Sequence, residues 1–257
     1  MKTFITFLKK EVTEQIRTKK LMVLCLLFVF FGIMNPLTAK ITPWLLEAMS
    51  ESMESTGIIV TDIEVTALDS WMQFFKNIPM VLIIFIFMQS GIFAKEYQDK
   101  TLTLVVTKGF ERYKIVLAKL LVMVIVWTLG YLVCFGITYA YTAYFWDNSI
   151  ASHLFFSSLI WWIFGVFVIS LFNVNAISFE NSGGVLSLTG GVVFVIYLIS
   201  LLPKANQYSP TFLTDGYSLV TGLKEINDYV PSFVITVVLT AVLVFFSILT
   251  FNKKKIK

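Results

Sequence analysis

Six runs of near-continuous apolar residues divide this chain, and no other feature restricts its fold as severely. They cover roughly 21–39, 77–94, 115–140, 154–174, 183–202 and 231–251. An α-helix rises about 1.5 Å per residue, so about 20 residues cross a hydrocarbon layer about 30 Å thick. Each run is long enough to do so. None shows the apolar/polar alternation of a membrane β-strand, so helices are expected rather than a barrel. Of the 257 residues, 57% are hydrophobic and only 14% charged, where a soluble domain carries about 25% charged residues. A water-soluble core cannot hide that much apolar surface. The expected fold class is an all-α membrane protein, with one six-helix transmembrane domain over 21–257.

The basic residues set the expected orientation. Six lie in the first twenty positions, and six more (Lys95, Lys100, Lys108, Arg112, Lys114, Lys119) lie between the second and third runs. Four follow the last run, so sixteen of the twenty fall on one side. By the positive-inside rule that side is cytoplasmic, and both termini are inside. The loops 40–76 and 203–230 then face outward. The formal charge of +4 is this bias, helped by attraction to an anionic inner leaflet, and not a nucleic-acid footprint.

Residues 1–20 form a separate element. Phe4, Phe7, Leu8, Val12 and Ile16 recur at spacings of three and four, the pattern of one apolar helical face. Such a helix lies along the inner membrane surface. Met1 is followed by a charged, patterned segment rather than a short apolar core with a cleavage site, so no signal peptide is expected. Of the outward loops, 40–76 holds the helix-favouring "LLEAMSESME" and a β-branched "GIIVTDIEV". The loop 203–230 is too apolar for a solvated connector and reads as a re-entrant or interfacial turn enclosed by protein.

Catalytic and metal constellations find little material. The one histidine, His153, sits at a predicted outer boundary, and Cys25 and Cys134 lie in separate apolar runs. No multi-histidine zinc centre, disulfide framework or nucleophile–base set follows from these residues. No phosphate-cradling G-x-x-x-x-G-K-[ST] occurs, and "NSGGVLSL" at 181–188 opens a span, where its small residues suit capping and close packing. Polar residues inside the spans are few. Gln89, Asn173 and Asn175, with Asn35, are the candidates for a cavity or an inter-helix bond. Asn173 and Asn175, two apart, cannot share a helical face. A carboxylate near the midplane, as proton- or sodium-coupled carriers use, is not expected, since Glu180 sits at an inner edge.

The segment between the second and third runs is the one charged interruption with internal pattern. It reads "KEYQDKTLTLVVTKGFERYKIVLAKLL", residues 95–121. Thr101, Leu104 and Val105 fall on one side of a short helix, and Gly109 permits a turn. This stretch resembles the region between the second and third spans of ABC-2-type transporter permeases. That family has a Glu, then Gly-Thr-Leu, an apolar run, Thr-x-Pro, an Arg and a Gly-Lys-Leu-like end. Glu96, Thr101, Leu102, Thr107, Arg112, Lys119 and Leu120 match it, while Lys100 stands where Gly is common and Gly109 where Pro is common. The likeness extends to the amphipathic leader, similar to the family's elbow helix, and to the six spans.

The resemblance implies the membrane subunit of a bacterial exporter in the cell membrane, working as a homodimer or with a second permease. It implies docking on a dimer of separately encoded ABC ATPases, which bind the ATP and magnesium, so no cofactor is expected on this chain. Residues 95–114 would be the coupling loop, with Thr101, Leu104 and Val105 as its seating face. Glu96 and Arg112 would be its charged anchors, paired with each other across the hairpin. The spans offer a cavity without fixed charge, so the expected cargo is hydrophobic or amphipathic, such as a peptide antibiotic, a toxin peptide or a drug. A stand-alone secondary transporter or channel is the alternative, and an intramembrane enzyme a more remote one.

Overall fold

The computed structural model describes residues 2–54, 64–99, 101–107 and 109–254. Among these, every regular element is helical. In chain order they are α1 (Lys2–Arg17), α2 (Lys20–Glu54), α3 (Ala67–Gln89), α4 (Gly91–Gln98), α5 (Thr101–Thr107) and α6 (Arg112–Phe145). Then follow α7 (Leu154–Ser178), α8 (Ser182–Ser200), α9 (Pro203–Asn206), α10 (Gly216–Val220) and α11 (Ile226–Lys253). Single 3₁₀ turns occupy Asn148–Ile150 and Pro210–Thr214.

Six stretches are long and apolar enough to cross a membrane: Lys20–Leu45, Ala67–Gln98, Arg112–Phe145, Leu154–Ser178, Ser182–Ser200 and Ile226–Lys253. Several outrun the sequence expectation. The predicted helix in "LLEAMSESME" is the end of α2, continuous with the first span, whereas most of "GIIVTDIEV" lies outside the described residues.

Packing is uneven. α7 is the central helix, buried along 67% of its most apolar stretch, while α8 and α11 are each buried along only 11%. In water such faces would drive aggregation; in hydrocarbon they cost nothing. The core is aromatic, and two glycines admit its rings. A Cβ on Gly130 would meet the Phe28 ring at 2.1 Å, and one on Gly165 would meet the Trp127 indole at 2.5 Å.

Polar groups join α2, α3 and α6. Pro36, inside α2, has no N–H, so the carbonyl of Gly32 four residues earlier loses its helical partner. The Thr138 hydroxyl on α6 donates to that carbonyl at 3.1 Å and accepts from the Asn35 amide at 3.1 Å. Asn77 on α3 then donates to the Asn35 oxygen at 2.9 Å.

The segment after α8 packs inward, as its apolarity predicts. Thr211, Phe212, Leu213, Leu219 and Val220 are buried. Its backbone is served from the bundle, the Trp161 indole donating to the Thr214 carbonyl and Tyr229 to that of Asp215.

Candidate functional site: an ionic ring at one end of the bundle

The segment between the second and third spans gathers at the bundle end where α1 begins and α11 finishes. α3 breaks at Ser90 and resumes as α4, which carries Glu96. α5 carries Thr101, Leu104 and Val105, whose side chains lie outside the described residues, as do Lys100 and Lys108. Gly109 turns the chain with φ +81°, a left-handed conformation that glycine adopts without strain.

α1 turns one face to this end. Phe7, Glu11 and Gln15, four residues apart, are its buried positions. Ile5, Val12 and Ile16 are exposed on an adjacent face, so the predicted single apolar stripe is two faces. One packs on the bundle and carries polar groups; the other is apolar and uncovered.

The buried polar groups close a ring. Lys119 of α6 is only 1% exposed. It donates to Glu11 Oε2 at 2.9 Å and to the Ile92 carbonyl at 3.0 Å, and lies 3.0 Å from Glu96 Oε2. Lys10 reaches the other oxygen of each carboxylate, at 3.0 Å for Glu11 and as a direct bond for Glu96. Thus Lys10–Glu11–Lys119–Glu96 alternate in charge and tie α1, α4 and α6 together. Glu14 adds a looser contact to Lys10 at 3.4 Å. Burial works against the Lys10 charge, but Glu11 and Glu96 outweigh it and hold its ammonium above the ordinary lysine range. Beside the ring, Gln15 donates to Gln89 Oε1 at 2.8 Å.

Glu11, Glu14 and Glu96 present oxygens within 4.8 Å of one another. Lys10 and Lys119 stand among these oxygens and offset two of the three charges, so the cluster suits an ionic lock better than a cation site.

The predicted anchors are therefore not a pair. Glu96 bonds to the two lysines, while Arg112 donates to the carbonyls of Phe251, Asn252 and Lys254 at 3.3, 3.0 and 2.7 Å. A guanidinium with its fork of N–H groups matches the unsatisfied carbonyls at a helix C-terminus and opposes the negative end of its dipole. Lys254 in turn donates to the Ile177 carbonyl at the end of α7, to which Tyr97 also donates. Glu96 is buried between the two lysines, and Arg112 staples the end of α11.

The candidate polar residues of the spans separate likewise. Asn175 donates to Thr189 of α8 at 3.0 Å, an inter-helix bond. Gln89 joins α1. Asn173 is fully buried with neither side-chain atom partnered, and the structure gives no account of it.

Sequence reasoning passed over Glu11 and Gln15, and took Lys119 only as an inner-side charge and a motif match. Two signals mark them. Lys119 lies inside an apolar run, where an unpaired ammonium is costly. Glu11 and Gln15 continue the four-residue spacing of Phe7 into the packed face of α1.

The chain matches no protein-family model and no curated protein.

Proposed function

We propose that this chain is the membrane-spanning subunit of an ATP-driven exporter. Energy enters through residues 95–114 from a separate ATPase. The supporting observation is the ionic ring. Because Glu96 of α4 is bonded to Lys119 of α6 and Lys10 of α1, a push on the neighbouring α5 reaches the third span and the N-terminal helix together. A loose connector would dissipate it. In this reading the end bearing the ring faces the cytoplasm of a bacterium, and α1 is an elbow helix whose exposed Ile5, Val12 and Ile16 rest in the inner leaflet. The subunit acts in a dimer of permeases, and its cargo is hydrophobic or amphipathic.

Affinity purification of the tagged chain from native membranes tests the proposal. An ATPase should co-purify, and Leu104→Glu together with Val105→Glu should release it while the permease stays in the membrane fraction. Co-purification unaffected by these substitutions would remove the seating role of α5. Absence of any associated ATPase would remove the whole reading.

A further inference from the structure

At the opposite end of the bundle, the α6–α7 connection lines an open cavity of about 730 Å³. That is within the range of about 300–1,000 Å³ typical of small-ligand sites. Its lining includes Tyr139, Trp146, Asp147, Asn148, His153 and Phe155.

The walls are held in place. Asn148 accepts from the Trp71 indole at 3.0 Å and donates to the Tyr139 carbonyl at 3.3 Å, fixing the turn against α3 and α6. Tyr139 and Phe155 pack with ring centroids 6.0 Å apart, and Phe135 lies within 6.2 Å of both. Asp147 is anchored by the Ser149 amide at 2.9 Å and the Ser149 hydroxyl at 2.7 Å. Those bonds, the amide first, hold its carboxyl below the ordinary range, so it stays ionised. Among the described residues no basic side chain lies within ion-pair distance of Asp147.

Helix ends of both signs meet here, the C-terminus of α6 and the N-terminus of α7. His153, at the lip, has φ +48°, a left-handed conformation that is strained for a non-glycine residue and clusters at ligand sites. Next door, the Lys40 ammonium stands 3.6 Å from the Phe145 ring centre, so this aromatic end of the bundle already holds one cation by a ring face.

We propose that this cavity binds the ammonium head of an amphiphile, the cation set against Asp147 and the faces of Trp146 and Tyr139, with the tail along the uncovered apolar helices. Aromatic faces and an unpaired carboxylate are the combination that recognises alkylammonium groups. A free cationic amphiphile and a choline-type lipid headgroup share this chemistry. They differ in the phosphate, which the uncapped N-terminus of α7 at the same cavity would receive.

The site does not depend on coupling to an ATPase, and its test needs none. Binding of dodecyltrimethylammonium, dodecylphosphocholine and dodecyl sulfate is measured by calorimetry on the full chain in maltoside micelles. Saturable binding of one or both choline-type probes, tighter than dodecyl sulfate, is expected. Preference for dodecyltrimethylammonium assigns a free cationic amphiphile, and preference for dodecylphosphocholine assigns a lipid headgroup. Asp147→Asn keeps a good capping side chain and removes only the charge. It should weaken binding by about three- to fivefold, the value of an exposed charge pair. Trp146→Leu should weaken it by a similar factor. Binding of dodecyl sulfate as tight as that of the choline-type probes, or an unchanged affinity in Asp147→Asn, would overturn the proposal.

Discussion

Lys119 shows how a charge survives inside an apolar bundle. Its ammonium has three protons, and three acceptors meet them: Glu11, Glu96 and the Ile92 carbonyl. Each carboxylate is shared with Lys10, so the ring is neutral and no member is spare. Removing one member of a buried ionic set leaves an uncompensated charge and costs about 3–5 kcal/mol, whereas removing an opposite pair is often nearly neutral. Lys119→Met should therefore destabilise the protein by about that amount, while Lys119→Met with Glu11→Leu should recover most of it. Unfolding in micelles by titration with a denaturing detergent measures both. Equal losses in the single and double variants would mean that Lys119 matters for its bulk and not its charge.

At the scale of elements, proline and threonine explain how α2 stays helical through Pro36. The Gly32 carbonyl that Pro36 orphans would be stranded in hydrocarbon without the Thr138 hydroxyl. Thr138→Val keeps the side-chain shape, removes the donor and strips Asn35 of its acceptor. A loss of about 1–2 kcal/mol is expected, since membrane hydrogen bonds average below 1 and two are affected. Thr142→Val, whose hydroxyl also meets Ser70, is the comparison for a site with no proline opposite. A neutral Thr138→Val would show that Gly32 finds another partner.

The six spans themselves were legible because hydrocarbon thickness imposes a minimum apolar length. Their ends were not. α2 runs to Glu54 and α6 covers 34 residues, because backbone hydrogen bonds continue beyond the layer that apolarity reports. The hairpin's helix and the Gly109 turn were readable from local pattern. The ring was not, since it joins positions 10, 11, 96 and 119 through packing that no local window records. The Glu96–Arg112 pairing failed for the same reason. Sequence proximity across a hairpin favoured it, but Arg112 found the C-terminus of a helix more than a hundred residues away.

Taken whole, the molecule is polar at its ends and apolar around its circumference, and this distribution makes a sharp demand on its surroundings. Ile83 is 68% exposed in the second span, and Phe194 of α8 is 60% exposed. On a protein in water, substituting such positions changes stability by within about 0.5 kcal/mol. In a bilayer the same positions face hydrocarbon, and a lysine at the centre of a span costs about 2.5–3.5 kcal/mol on insertion scales. Ile83→Lys and Phe194→Lys should each shift the insertion equilibrium read in a membrane-integration assay by about two to two and a half orders of magnitude. Tyr144→Lys is the matched comparison. It is 82% exposed but lies at the end of α6, near the interface, where a lysine reaches water along its flexible stem. That variant should insert normally. Full insertion of all three would mean that the exposed girdle is covered by protein rather than lipid, and loss of all three would point to a folding defect independent of depth.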